Sequence, residues 1–257
     1  MRNCRMNKLL LTKDDIYRGD LICVNRNCPI KLDIDETQIV KCYREKESAY
    51  LPKVMKSRIE WILSQVTHKE DFIIVSGYRS KEEQKKIWDN SITDNGYLYT
   101  QKYVAIPGCS EHQTGLAIDM GIRSGSLDII KPDFPLKGVC DEFRRIAFQN
   151  GFIQRYPKGK ENITKIGYEP WHFRFVGIPH ARIMQKENMV LEEYVEFLKE
   201  FKFPHKEYVI EDSNYIVKIS YIQYEGENVY IDSKRIIPFT ISGNNKDGWV
   251  MTSWEKK

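Results

Sequence analysis

No stretch of eighteen apolar residues occurs anywhere in this chain, which excludes a membrane-spanning helix. The N-terminal stretch MRNCRMNKLLLTKDD is similarly poor. Its basic residues precede only three consecutive leucines, too few for the apolar region of a secretory signal, so a cytoplasmic location is expected. Six cysteines, Cys4, Cys23, Cys28, Cys42, Cys109 and Cys140, contain no CxxC pair. Dispersed thiols of this kind fit a reducing compartment, and Cys23 with Cys28 has no second pair to complete a zinc site. A large charge excess is missing too. Forty basic against 36 acidic residues leave a net charge of +4, too thin and too evenly scattered for a nucleic-acid surface. Internal repeats and low-complexity segments are also absent.

What is present is an ordinary globular composition, 41% hydrophobic and 30% charged, over 257 residues. That length suits one substantial core with an appendage. Residues 19–32 read as a short strand followed by an Asn/Pro turn. Leu51, Met55, Ile59, Ile62 and Val66 recur at three- and four-residue steps, predicting an amphipathic helix over 50–66. A short apolar strand, 72–75, ends in the turn SGYRS. Ser80 and Glu83 then form a capping box, so a helix is expected over about 81–92. Residues 93–109 are polar, with Pro107-Gly108 marking a turn, and read as a long loop, of which 93–106 has the makings of a mobile lid. Strands are expected at 116–122 and 165–176, and helices at 139–150, 178–188 and 191–202. Pro204 closes the last of these. Beyond it, alternation at Tyr215, Val217, Ile219 and Tyr221 marks a β-rich appendage, 205–257, on an α+β catalytic core, 1–204.

Two short stretches carry the chemistry, SEHQTGLAIDMG at 110–121 and YEPWHF at 168–173. On an alternating strand Gly115, Ala117 and Asp119 share one face, so two small residues leave space beside a carboxylate. His112 sits just before that strand. His172 alternates with Phe173 and turns away from the apolar face. Two histidines and an aspartate are good zinc ligands, and three protein ligands leave a fourth position for water. Such a site needs a base to take the water's proton. Glu169, three residues before His172 and held extended by Pro170, is placed for it. Arg79, in the turn after the first strand, is the candidate cation for an oxyanion. The bland readings stay open here: Asp119 pairing a lysine, Arg79 capping a helix, Trp171 packing. His68, His180 and His205 read as structural.

The stretches SGYRSKEEQ, PGCSEHQTGLAIDMG and GYEPWHFRFVG, in this order, closely resemble the D-alanyl-D-alanine metallopeptidases. The nearest group is the VanY and VanXY type of D,D-carboxypeptidases and dipeptidases associated with glycopeptide resistance. The resemblance spans roughly residues 20–200 and implies a small antiparallel sheet flanked by helices. It also implies one zinc per chain on His112, Asp119 and His172, Glu169 as catalytic base, and Arg79 on the tetrahedral intermediate. Ser110 and Gln84 would contact the substrate's terminal residue. The implied substrates are small peptides, D-Ala-D-Ala and pentapeptide precursors ending in it.

Three other readings compete. Cys109 could be a nucleophile with His112 as its base, but Glu169 and His172 would then have no purpose. A zinc-stabilised domain that only binds peptides or wall components would usually close its metal with four ligands and need no adjacent base. An L,D-carboxypeptidase would keep the zinc chemistry and change the bond.

Overall fold

In a computed structural model of the chain, the apolar run at 72–76 and the two motif stretches become neighbouring strands. Residues 8–42, 49–123, 128–211, 214–232 and 238–257 are described by the structure. Cys4 and the basic residues around it lie outside the described residues. Strands β1 (Lys8–Leu11), β2 (Ile39–Cys42) and β3 (Ala49–Pro52) precede helix α1 (Lys53–Gln65). Next come β4 (Phe72–Ser76), α2 (Lys81–Asn95) and α3 (Tyr97–Tyr103). They are followed by β5 (Ala117–Ile122), α4 (Val139–Gln149), β6 (Phe152–Tyr156), α5 (Glu161–Thr164) and β7 (Glu169–Phe175). The helices α6 (Ile178–Lys186) and α7 (Leu191–Leu198) lead to β8 (Tyr208–Glu211) and β9 (Tyr215–Gln223). Last are β10 (Val229–Asp232), β11 (Phe239–Gly243) and β12 (Gly248–Lys256).

Backbone proximity divides the chain into two compact units, Val24–Glu192 and Met1–Cys23 with Glu193–Lys257. The first is α+β, as expected, and is built on an antiparallel sheet in the order β4-β5-β7-β6. Alternation decides which side chains it buries. Ile118 and Met120 of β5 and Trp171, Phe173 and Phe175 of β7 enter one core with Met55, Ile59 and Ile62 of α1. Phe72, Phe134, Phe143 and Phe173 pack there with ring centroids 5.1–6.1 Å apart in tilted and edge-on pairs. Burying each ring contributes about 1.5–3 kcal/mol. The opposite parity, Ala117 and Asp119 with His172 and Arg174, is left for the other face.

The second unit holds an antiparallel sheet β11-β12-β9-β8 and the pair β1-β10. Its small core contains Leu11, Ile16, Ile222, Ile231, Trp249 and Met251. Residues 205–257 are β-rich where described. Backbone proximity divides the chain after Cys23 and after Glu192, where the sequence suggests a division after 204. Residues up to Cys23 join the later strands because β1 finds its partner in β10, a pairing that nothing local announces.

Four local expectations are corrected. Residues 19–32 form no strand; the side chain of Asn25 accepts from the backbone of Asn27 and Cys28 in a tight turn instead. Helix α1 starts at Lys53, not 50, since Pro52 disfavours helical backbone at Leu51, which extends β3. The helix expected over 191–202 ends at Leu198, after which Phe201 and Phe203 exchange backbone hydrogen bonds with Tyr221. The long loop at 93–109 is largely helix. α2 runs on to Asn95, Gly96 turns the chain at φ +80°, and α3 begins at once. A buried Ser91–Thr100 hydroxyl pair at 2.8 Å ties the two helices together. The capping box formed by Ser80 and Glu83 is present. Among the described residues no helix is long and apolar enough to cross a membrane.

Candidate metal centre and active site

The sheet register assembles the site. Asp119 on β5 faces Ser76 of β4 on one side and His172 of β7 on the other. A slip of one residue would send either side chain into the apolar core. Glu169 has the wrong parity to share a face with His172 on a regular strand. The pairing is irregular just there: Gln154 meets Phe173 and Tyr156 meets Glu169, so β7 advances four residues while β6 advances two. This bulge re-aims Glu169, whose Oε2 lies 3.7 Å from His172 Nδ1.

His112 comes from the 3-10 turn Glu111–Thr114. Its backbone carbonyl accepts from Arg79 N and Gly115 N, and its ring Nδ1 donates to Gly77 O at 2.6 Å. Gly115 closes this turn at φ +69°, where a Cβ would stand 2.6 Å from Pro52 Cγ. The strand begins only at Ala117, so the reading of Gly115 as a space-making strand residue is corrected: glycine is needed for the turn.

With Nδ1 protonated, His112 turns a bare Nε2 to Asp119 Oδ2 at 3.1 Å. His172 turns its Nδ1 to Asp119 Oδ1 at 2.9 Å, in a direction that makes no hydrogen bond, so this buried oxygen has no hydrogen-bond donor. The rings cross edge-on with centroids 4.9 Å apart. One donor atom from each of His112, Asp119 and His172 lies within 4.8 Å of the others, and all three residues are buried. Among the described residues no other such group occurs. Two imidazole nitrogens and a carboxylate converging on one point, with an orphaned carboxylate oxygen, fit a zinc ion with a position left open.

Burial and mutual charge set the protonation states. Burial lowers His112 to about 4, with Arg79 acting in the same direction. Burial also works against a charged His172, but Asp119 and Glu111 more than offset it and carry the ring to about 9. The carboxyl of Asp119, despite its burial, is held well below the usual range by the two histidines. Glu169 goes the other way: burial, with Asp119 adding to it, raises its carboxyl to about 8. A cation brought beside Glu169 would favour its ionised form.

A cavity of about 170 Å³ opens over these groups. Arg79, Gln84, Ser110 and Glu169 line it together with the trio, so the residues expected to bind metal, catalyse and hold substrate reach one space. Burial lowers the pKa of Arg79 while Asp119 and Glu169 oppose the shift, and its Nε is sealed from solvent without a partner. Gln84 is fully buried; its Nε2 donates to Ala105 O at 2.8 Å and its Oε1 has no partner. Trp171 packs in the core, as expected, and also walls the cavity. Cys109 is absent from the lining and burial raises its thiol pKa, while both His112 nitrogens face other groups. The nucleophile reading has no geometry behind it. His180 is buried and lowered by burial to about 3, away from the cavity.

Glu111, Arg155, Arg174 and Tyr156 went unnoticed in the sequence. Tyr156 packs against His172, with ring planes tilted at 48° and centroids 4.9 Å apart. The two arginines are fully buried and both donate to Glu111. A signal existed for them: each is an arginine inside an apolar strand, in FIQRY and WHFRF.

An α+β fold carrying two histidines and an aspartate around one point, with a further acid beside them in a cavity, defines a zinc metallopeptidase. Residues 49–178 match the family described as VanY, D-alanyl-D-alanine carboxypeptidase, and the chain belongs to that family. It is 39% identical to the bifunctional D-Ala-D-Ala dipeptidase and carboxypeptidase VanXYC of Enterococcus gallinarum, over 68% of this chain and 93% of that protein. The crystal structure of the vancomycin-resistance D,D-dipeptidase VanXYg, in complex with a D-Ala-D-Ala phosphinate analogue, superposes with a TM-score of 0.91 at 41% identity. That likeness covers 96% of this chain and 98% of the other. A VanY D,D-pentapeptidase from a VanB-type resistance cassette, solved with Zn(II), gives a TM-score of 0.52 at 29% identity. It covers 68% of this chain and 98% of that one.

Proposed function

We propose that this chain is a zinc-dependent D,D-carboxypeptidase and D,D-dipeptidase. It hydrolyses the terminal D-Ala-D-Ala bond of peptidoglycan precursors and free D-Ala-D-Ala, and so contributes to glycopeptide resistance. The observation that carries the reading is Glu169: a buried carboxyl beside the His112–Asp119–His172 trio, in the same cavity, and not one of the three ligands.

His112, Asp119 and His172 would hold one zinc per chain. Zinc, when bound, acidifies a water molecule and polarises a carbonyl. Glu169 takes the proton from the attacking water and returns it to the leaving amine nitrogen. Arg79, with its Nε unpartnered in the cavity wall, faces the oxyanion that develops on the scissile carbonyl. Ser110 and Gln84 bind the terminal residue, Gln84 offering its free Oε1 as acceptor. The apolar walls, Ile87, Ile130 and Trp171 among them, suit small methyl side chains. The cytoplasm is the proposed compartment, since all five described cysteines are free.

A panel of defined peptides tests this reading. D-Ala-D-Ala and a pentapeptide ending in D-Ala-D-Ala should both be cleaved, and a zinc chelator should abolish both activities. L-Ala-L-Ala should remain intact. Equal or faster cleavage of a tetrapeptide at its L-Lys-D-Ala bond would make the enzyme an L,D-carboxypeptidase. No cleavage of any peptide by zinc-loaded protein would leave only a binding domain.

A further inference from the structure

Glu111 is 1% exposed and sits between two chemistries. Its Oε1 accepts from Arg155 Nε and from Arg174 Nη1, both at 2.8 Å. Arg155 also donates from Nη1 and Nη2 to Glu192, at 2.9 and 2.6 Å. Two carboxylates and two guanidiniums therefore balance in charge. Isolating such groups from water costs several kcal/mol per ion, and an apolar replacement is often as stable, so stability alone is a weak reason for the network.

The second carboxylate oxygen is the informative one. Glu111 Oε2 has no hydrogen-bond partner, and neither has His172 Nε2. These two buried orphans are 3.7 Å apart. That is too long for a hydrogen bond, but buried polar atoms are nearly always paired, and a small approach would pair both. The other nitrogen of the same ring, Nδ1, faces Asp119, a fellow member of the trio, at 2.9 Å.

We infer that Glu111 is the positioning residue for His172, accepting from Nε2–H so that Nδ1 presents its lone pair to zinc. The inference rests on the reading that the trio holds zinc. Histidine ligands commonly donate their second ring N–H to a carboxylate, which fixes both tautomer and ring direction. Arg155 and Arg174 clamp one oxygen of Glu111 and leave the other to His172. The turn Glu111–Thr114 thus supplies one ligand, His112, and orients another. Tyr156, against the same ring, restricts its tilt.

The test uses Glu111→Gln in the full chain. The two arginine donors require the amide oxygen on their side, so the NH2 group would face His172 Nε2 and oppose a proton there. That favours the tautomer whose proton occupies the ligand atom. Zinc affinity, measured by competition with a chromophoric chelator, should fall about 10- to 100-fold, the usual cost of losing such a partner. In zinc-loaded wild-type protein, 15N NMR should show the His172 proton on Nε2 and the metal on Nδ1, a readout independent of any variant's folding. Unchanged affinity in folded Glu111→Gln, or zinc on His172 Nε2 in the wild type, overturns the inference and leaves the trio intact. Wild-type protein that binds no zinc overturns both.

Discussion

The two compact units treat charge in opposite ways. In Val24–Glu192, the side chains of Glu111, Asp119, Arg155, Glu169 and Arg174 belong to residues no more than 5% exposed. In the other unit the pairs Lys199–Asp247, Lys218–Glu255 and Lys246–Glu196 lie at the surface, every side chain at least 26% exposed. The buried polar residues described there, such as Ser220, Asn244 and Thr252, are all neutral. Residue types therefore say little by themselves; what distinguishes the units is whether charge has been taken out of water. Doing so is costly unless each charge is matched, and the first unit matches its charges around a point where a cation fits.

The largest effect that could break this contrast is loss of the metal. A His112→Ala and His172→Ala double variant should retain essentially no zinc after purification, measured by elemental analysis, and no peptidase activity. Undiminished zinc would place the metal elsewhere. Arg79→Ala should keep its zinc and lose about 100- to 1,000-fold in kcat, the range for an oxyanion donor. A change confined to KM would make Arg79 a substrate anchor instead. The smallest effect belongs to the other unit. Lys218→Ala removes a 2.7 Å pair with Glu255 at the surface and should cost less than about 1 kcal/mol in denaturant unfolding, with peptidase activity unchanged. A larger cost would mean that surface charge there matters more than its exposure suggests.

Much of the site was legible because its signals are local. Strand alternation puts Asp119 and His172 on the polar side of apolar strands, and His112 stands a few residues upstream of the same strand. The helix after Arg79 was legible from its capping box. What escaped depended on distant partners. Glu111 reads as an unremarkable acid until Arg155 and Arg174 are seen to close on it from β6 and β7. The bulge that brings Glu169 round to His172 arises between two strands and has no spacing of its own. Residues up to Cys23 could not be assigned to the later strands, because the β1-β10 pairing joins segments over 200 residues apart. The polar composition of 93–109 suggested loop, whereas buried Ser91 and Thr100 satisfy each other and allow helix.

The central claim is that the buried carboxyl beside the trio acts on the reaction and takes no part in holding the metal. Glu169→Ala, with zinc content and turnover of a D-Ala-D-Ala pentapeptide measured on one preparation, tests it most directly. The account predicts zinc equal to wild type and kcat reduced about 100- to 10,000-fold, as for loss of a general base. Near-normal turnover at full zinc, or loss of zinc together with activity, would contradict it.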